Sequence, residues 1–169
     1  MTELLLGCGA RTVKDVVTRG SKEFVSPVRL DINPDHKPDV VWDLNVRPLP
    51  FADNSFDEIH AYEVLEHIGK QGDYKGFFEE FTEYHRILKP DGLLVVSVPM
   101  WNSVWAWGDP SHTRVINSGS IVFLSQKQYQ SQIGHTSMTD FRYVYKADFD
   151  IEMAQETQDK FYFVLRAIK

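Results

Sequence analysis

Cysteine is nearly absent from this sequence, and its scarcity excludes two kinds of structure. The single cysteine, Cys8, has no partner for an intrachain disulfide and cannot form a cysteine-rich metal cage. No apolar run approaches the roughly 20 residues that a membrane-spanning helix needs, and no charged leader followed by an apolar stretch opens the chain. We therefore expect a cytoplasmic protein that makes no contact with a membrane.

Positive charge is in the minority, because 24 acidic residues against 18 basic ones give a net charge of −6. A protein that follows a phosphate backbone usually presents a basic face, so the composition disfavours nucleic acid as a partner. Repeats and low-complexity tracts are also missing. With 169 residues, of which 43% are hydrophobic, the chain fits one globular domain. The sequence leaves the oligomeric state open.

Strand-like and helix-like segments alternate over the first hundred residues, which predicts a parallel sheet covered on both faces. Strands are predicted at residues 4–6, 28–30, 40–42, 56–62 and 93–98, and helices at about 13–20 and 73–88. The first helix is expected to bury Val13, Val16 and Val17. The last third predicts an aromatic loop at 101–110, a short helix at 117–124, and a hairpin of strands at 141–156 and 160–168.

Three successive strands end in groups that suit parts of an adenosine. Gly7 and Gly9 form a bare turn that lets a ligand approach the backbone, at the start of the expected helix. Asp31 can accept both ribose hydroxyls, while Asp43 and the Leu44 amide can read the adenine edge. Each group alone also fits a plain turn or cap. Their shared position at the carboxyl edge of the sheet predicts one adenosine-binding cleft.

Four runs give residues 4–100 a resemblance to a known family. They are LLLGCGA at 4–10, PLPFADNSFD at 48–57, VLEHI at 64–68 and ILKPDG at 87–92. Together they resemble the motifs of class I methyltransferases that depend on S-adenosylmethionine (SAM). Two positions depart from the family pattern: Leu5 stands where an acid is common, and Arg11 replaces a third glycine.

This resemblance implies an α/β fold, a Rossmann-like three-layer sandwich with a mostly parallel seven-stranded sheet and an antiparallel C-terminal hairpin. It also implies SAM as cofactor and S-adenosylhomocysteine as product. The residues implied for the cofactor are Gly7, Cys8 and Gly9 along the methionine part, Asp31 at the ribose, Ile32, Asp43 and Leu44 around adenine, and Tyr62 and Glu63 near the amino group and sulfonium.

The run GDPSHTR at 108–114 follows the fifth strand and should therefore lie at the active edge of the sheet. His112 is the candidate general base, if the acceptor needs one. Asp109 and His112 could instead only fasten the loop. Trp101, Trp105 and Trp107, with Asp109, are candidates to wall an acceptor pocket, or alternatively to pack the loop over the sheet.

No recognised ligand spacing predicts a metal centre, and a site formed by Asp109, His112 and His135 is the less favoured alternative. Glu66 and His67 are expected to be cap or surface groups at the start of a helix. Glu79, Glu80 and Glu83 are expected to form a solvated helix face.

We expect one domain at 1–169, with a cofactor-binding half at 1–100, substrate-side loops at 101–140 and the hairpin at 141–169. The predicted function is transfer of a methyl group from SAM to an acceptor, expected to be a small molecule, by in-line displacement. Two alternatives stay open at this point. One is a SAM-fold binding module without catalysis, and the other is an NAD(P)-dependent oxidoreductase.

Overall fold

A computed structural model describes all 169 residues, and its seven strands form one sheet. The strands are β1 (Glu3–Leu6), β2 (Val28–Asp31), β3 (Val40–Val41), β4 (Phe56–Tyr62), β5 (Leu88–Pro99), β6 (Phe149–Glu156) and β7 (Lys160–Ala167). The helices are α1 (Tyr74–Ile87), α2 (Val104–Gly108), α3 (Ser118–Ile121) and α4 (Gln126–Gln132), with 3₁₀ turns at Pro34–His36, Leu65–His67 and Val122–Leu124. None of these helices combines the length and apolarity that a membrane crossing requires.

The strands lie in the order β3-β2-β1-β4-β5-β7-β6. The first five pair in parallel, whereas β7 is antiparallel to both β5 and β6. This arrangement confirms the predicted α/β class, a mostly parallel seven-stranded sheet with an antiparallel C-terminal hairpin. The chain runs outward from β1 through β2 to β3 and then returns to β4 on the other side of β1. The carboxyl ends of β1 and β4 therefore flank a topological switch point.

Helix α1 covers one face of the sheet and confirms the helix predicted at 73–88. The Asp73 carboxylate caps its start by accepting the Gly76 amide at 3.0 Å. Its buried stripe includes Phe78, Phe81 and Tyr84, which join a core of 31 buried residues. Apolar side chains at helical spacing thus position the helix, as the sequence pattern indicated.

The helix predicted after the first strand was wrong, and an irregular segment takes its place on the opposite face of the sheet. Val13 and Val17 are 39% and 49% exposed, whereas Lys14 is buried. Lys14 forms an ion pair with Glu3, and its Nζ lies 3.6 Å from Glu58 Oε2. The β-branched residues of this segment have low helix propensity, and the buried ion pair holds the chain along the sheet instead. One layer of the sandwich is therefore not helical.

The C-terminal hairpin is shorter than predicted, because β6 begins at Phe149 rather than at Phe141. Residues 141–145 form a turn in which the Val144 and Tyr145 amides donate to the Phe141 carbonyl at 2.8 and 2.9 Å. The rings of Phe141 and Tyr145 lie 5.2 and 4.9 Å from the ring of Phe78 on α1. These aromatic residues favour a strand in the sequence, but here they complete the core above α1.

Candidate cofactor and active site

A cleft of about 260 Å³ opens at the carboxyl ends of β1, β2 and β4. It lies at the switch point of the sheet, where open α/β sheets bind ligands. Six of the residues predicted to hold a cofactor line it: Gly7, Asp31, Ile32, Asp43, Leu44 and Glu63. The other lining residues are Leu30, Trp42, Asn45, Val64, His67 and Ile68. The structure thus brings together residues from several separate strand ends.

Gly7 is the one residue of the glycine turn that lines this cleft. Gly7 has φ +55°, and a Cβ atom built there would lie 2.4 Å from Val64 Cγ2. Only glycine therefore fits this position. Gly9 also has positive φ, but no atom lies within 4 Å of where its Cβ would be. The Cys8 side chain is buried below the turn, and neither Cys8 nor Gly9 lines the cleft.

The turn does not begin a helix, so the predicted helix N-terminus that would favour anionic groups was wrong. Residues 10–27 contain no helix, and their only β-type pairing is an isolated antiparallel bridge between Val13 and Glu23. The polar groups that face a ligand must therefore come from side chains and from individual amides, and not from a helix dipole.

Asp31 connects the glycine turn to the second strand. Its carboxylate is 6% exposed and accepts the Gly9 amide at 2.8 Å and the Asn33 amide at 2.9 Å. His36 Nδ1 lies 3.1 Å from the same carboxylate. Burial alone would raise the pKa of Asp31, but these hydrogen bonds outweigh it and lower the pKa below its usual value. Asp31 is therefore a charged acceptor at the rim of the cleft.

The residues predicted to contact the adenine edge, Asp43 and Leu44, lie just after β3. Asp43 accepts the Asn45 amide through Oδ1 at 2.9 Å, and its other oxygen makes no hydrogen bond within the protein. Asn45 Oδ1 in turn accepts the Gly69 amide at 3.0 Å, which ties this loop to the segment after β4. Leu44 is buried and Ile32 is 64% exposed at the lip of the cleft. The lining of the cleft here is therefore partly apolar and partly polar.

Two neighbouring residues predicted near the sulfonium point in different directions. Tyr62 is buried in a smaller core on the other face of the sheet, with its hydroxyl 2.9 Å from His60 Nδ1. It does not line the cleft. Glu63 does, and its backbone has a positive φ of 57°. The Ser97 hydroxyl donates to Glu63 Oε1 at 2.9 Å. A strained backbone at the end of a central strand is common at functional sites.

Several lining residues were not among the predicted cofactor residues: Leu30, Trp42, Asn45, Val64, His67 and Ile68. Three of them, Val64, His67 and Ile68, belong to the VLEHI run on which the resemblance partly rests. That run was a signal for the site, because it follows β4 directly and must lie at the same edge of the sheet.

The expectation that Glu66 is a cap or surface group was wrong. Its side chain is buried, and neither carboxylate oxygen has a hydrogen-bond partner. Burial raises the pKa of Glu66 to about 8, and the nearby charge of Glu63 adds to the increase. His112, the predicted base, lies beside it, with Nε2 3.9 Å from Glu66 Oε1. The two rings of His67 and His112 lie edge to face at 4.6 Å.

The loop that carries His112 is held by hydrogen bonds to this cluster. The Ser111 hydroxyl lies 2.5 Å from Asp109 Oδ1 and 3.1 Å from His67 Nδ1. The Thr113 amide donates to the Glu66 carbonyl at 2.9 Å. Asp109 therefore acts on the loop through Ser111, and the predicted fastening role is compatible with these contacts.

The tryptophans do not line the cofactor cleft. Trp101, Trp105 and Trp107 are 47%, 65% and 70% exposed, and the predicted aromatic loop contains the short helix α2. The Trp107 indole N–H donates to the Trp101 carbonyl at 2.8 Å, which fixes the two relative to each other. Three exposed indoles thus lie on one short segment that follows β5.

A second cavity, of about 350 Å³, lies next to the start of α1. Its lining comes from residues 70–74, 77 and 78, from 114–117, 119, 120 and 123, and from Phe141. Only Gly69 separates Ile68, which lines the first cleft, from Lys70, which lines the second. Much of this lining comes from the segment 101–140 that was expected to form the substrate side.

The fold is that of a Rossmann-like α/β protein with a cleft at its switch point. Solved structures share this fold over nearly the whole chain. A chain from a complex of the Trm112 methyltransferase activator of Haloferax volcanii aligns with a TM-score of 0.62 at 17% identity, covering 99% of this chain and 83% of that one. An S-adenosylmethionine dependent methyltransferase from Mesorhizobium loti gives 0.53 at 15% identity, covering 98% and 90%. The [4+2]-cyclase SpnF gives 0.59 at 14% identity, covering 99% and 74%.

The family follows from the sequence. A family model described as a methyltransferase domain matches residues 5–96, which is more than half of the chain. The protein therefore belongs to the methyltransferase domain family. No curated protein matches the sequence. Because all three structures are less than 25% identical to this chain, they establish its fold and not its reaction.

Proposed function

We propose that this protein binds SAM in the cleft at the switch point and transfers the methyl group to a small-molecule acceptor by in-line displacement. The observation that carries the proposal is that Gly7, Asp31, Asp43 and Glu63 line one cleft. Bound SAM would supply an electrophilic methyl group on its sulfonium. The main contribution of the protein is then alignment, which can supply roughly 7–11 kcal/mol of the barrier.

The side chains in the cleft fit an adenosine with an attached amino acid. Gly7 has no side chain, which leaves room for the ligand. Any side chain at this position would clash with Val64. Asp31 uses three acceptor directions within the protein, and a carboxylate has about four, so one remains for a ribose hydroxyl. The free oxygen of Asp43 suits the amino group of adenine. Glu63, held by Ser97, is the proposed partner of the ligand's ammonium group.

The acceptor is proposed to enter from the second cavity, whose lining includes Arg114, two residues after His112. The cavity has the size and mixed lining of a small-molecule site, and in the sequence only Gly69 separates its lining from that of the cofactor cleft. His112 Nε2 faces the buried Glu66 and could accept a proton from an acceptor hydroxyl or amine as it attacks. An acceptor that is already a carboxylate would need no base.

Calorimetric titration with S-adenosylhomocysteine and, separately, with NAD⁺ tests the cofactor assignment. We expect binding of the first only. Asp31→Asn should weaken it about 10- to 100-fold, because a charge-assisted hydrogen bond contributes about 1.5–3 kcal/mol. Asp35→Asn, at an exposed carboxylate in the same segment, is the matched control and should bind normally. Binding of NAD⁺ alone would favour the oxidoreductase, and binding of neither ligand would refute the proposal.

A second candidate function is a SAM-binding module without catalysis. It is favoured by the irregular segment after the glycine turn and by Leu5, which stands where the family commonly has an acid. The two functions differ in turnover and not in binding. Formation of S-adenosylhomocysteine from SAM in the presence of a panel of hydroxyl, amine and carboxylate acceptors would support the enzyme. Tight binding with no turnover across the panel would support the module.

A further inference from the structure

A compact cluster of ligand-type side chains lies beside the cofactor cleft. Glu66, His67 and His112 each offer a metal-ligating atom, and these three atoms lie within 4.8 Å of one another. Two chain segments bring them together. The Thr113 amide and hydroxyl both approach the Glu66 carbonyl, at 2.9 and 3.2 Å, so the loop that carries His112 is fastened to the turn that carries Glu66 and His67.

Glu66 is the exception among the buried carboxylates of this protein. Glu3 and Glu58 pair with Lys14, Glu80 pairs with Arg114, and Glu83 pairs with Arg86. Asp31 accepts two backbone amides. Glu66 is 2% exposed, has no lysine or arginine within ion-pair distance, and makes no hydrogen bond to another residue through either oxygen. A buried carboxylate without a partner is costly, so such a group is either protonated or compensated by a cation.

The distances around His112 suit ligands of one ion better than a hydrogen bond. Its Nε2 lies 3.9 Å from Glu66 Oε1 and 3.8 Å from Asp109 Oδ2. Both separations exceed the roughly 3.2 Å limit of a protein hydrogen bond. Two atoms that each lie about 2.0–2.2 Å from a metal are at most about 4.3 Å apart, so one cation can bridge either pair.

The hydrogen bonds of His67 prepare it for the same role. Because the Ser111 hydroxyl donates to Asp109, it accepts from His67 Nδ1. The proton is thereby fixed on Nδ1, which leaves Nε2 as the ring nitrogen free to bind a cation. Histidine ligands of metal ions are commonly oriented in this way, by a hydrogen bond from the other ring nitrogen.

We propose that Glu66, His67 and His112, with Asp109 beside them, bind one divalent transition-metal cation. Two imidazoles and a carboxylate favour an ion such as Zn²⁺ or Mn²⁺ over Mg²⁺ or Ca²⁺, which prefer oxygen ligands only. His67 also lines the cofactor cleft, so the ion lies at the border between that cleft and the His112 loop. With a cation bound, His112 Nε2 would be a ligand and could not also accept the acceptor's proton, so the two roles proposed for His112 are alternatives.

We propose no metal site at a second cluster of the same residue types, which consists of Glu3, Glu58 and His60. The Lys14 ammonium already lies among its carboxylates, and the Thr18 hydroxyl donates to Glu58 at 2.7 Å. A positive charge therefore occupies the place where a cation would bind. Glu66 differs from this cluster because no lysine, arginine or hydroxyl group of the chain pairs with its carboxyl group.

Titration of the chelator-treated protein with Zn²⁺ by calorimetry, and with Mn²⁺ by electron paramagnetic resonance, tests the proposal. We expect one ion per chain for the wild-type protein. Glu66→Gln keeps the shape of the side chain, and His112→Asn removes one imidazole. Each should weaken binding about 100-fold or more. His135→Asn, at an exposed histidine outside the cluster, is the control and should bind like the wild type.

Glu66→Gln replaces a buried carboxyl group that has no hydrogen-bond partner by an amide of the same shape, so without metal it should melt at about the same or a higher temperature than the wild type. That variant therefore separates loss of the site from loss of the fold. No binding by the wild-type protein at millimolar Zn²⁺ or Mn²⁺ would overturn the proposal. It would equally be overturned by unchanged metal affinity in both Glu66→Gln and His112→Asn, or by an equal loss in His135→Asn.

Discussion

Replacement of Lys14 by methionine should destabilise the protein strongly, because Lys14 neutralises carboxylates inside the core. Lys14 is 1% exposed, and it pairs with Glu3 and Glu58, which are 4% and 0% exposed. Methionine retains most of the apolar stem and removes only the ammonium group. The two carboxylates would then face each other without their lysine.

The expected loss can be bracketed from this geometry. Removing one partner of a buried ion pair costs about 3–5 kcal/mol, because the other charge remains buried. Glu58 keeps hydrogen bonds to His60 at 3.0 Å and to Thr18 at 2.7 Å, so Glu3 carries most of the penalty. We therefore expect about 3 kcal/mol, which is a large share of the roughly 5–15 kcal/mol by which a domain is usually stable.

Urea denaturation of four proteins measures this loss. The wild type is compared with Lys14→Met, with the double variant Lys14→Met/Glu3→Gln, and with Lys22→Met at an exposed lysine of the same segment. The double variant should recover at least about 1 kcal/mol, since it removes one of the stranded charges. Lys22→Met should change stability by less than about 0.5 kcal/mol. A loss below about 1 kcal/mol for Lys14→Met, or no recovery in the double variant, would refute the reasoning.

Two further predictions concern the glycine turn and Asp31. Gly7→Ala should weaken S-adenosylhomocysteine binding and reduce stability by about 1–3 kcal/mol, because alanine at φ +55° would also meet Val64 at 2.4 Å. Gly9→Ala incurs only the strain of its positive φ, so calorimetry and urea denaturation should show a smaller effect. The lowered pKa of Asp31 means that its contribution to stability is present above about pH 4 and is lost as the pH falls through the folded-state pKa. Asp31→Asn should therefore lose less stability than the wild type between pH 5.5 and pH 3.5, and an identical loss would contradict this assignment.

The parallel sheet and helix α1 were predictable because local patterns specify them. Short apolar runs bounded by Gly7 and by turn residues indicate buried strands, and Phe81 with Tyr84 marks the buried face of a helix. The helix around Val13 was wrong for a physical reason. Its spacing of valines is helical, but the residue that the fold buries is Lys14, whose partners lie far along the chain. Hydropathy alone does not predict a lysine in a core.

Local sequence patterns could also place part of the candidate site, but not the part that depends on contacts between distant segments. Gly7, Asp31 and Asp43 each follow a strand directly, so the order of strands in a parallel sheet is enough to place them at one edge. The burial of Glu66 depends instead on how the His112 loop folds back over the turn after β4, a contact between distant segments that no local pattern encodes. The expected solvated face at Glu80 and Glu83 was wrong for the same reason, since both are buried. Arg114 and Arg86 pair with them, whereas the only basic side chain within ion-pair distance of Glu66 is the imidazole of His112.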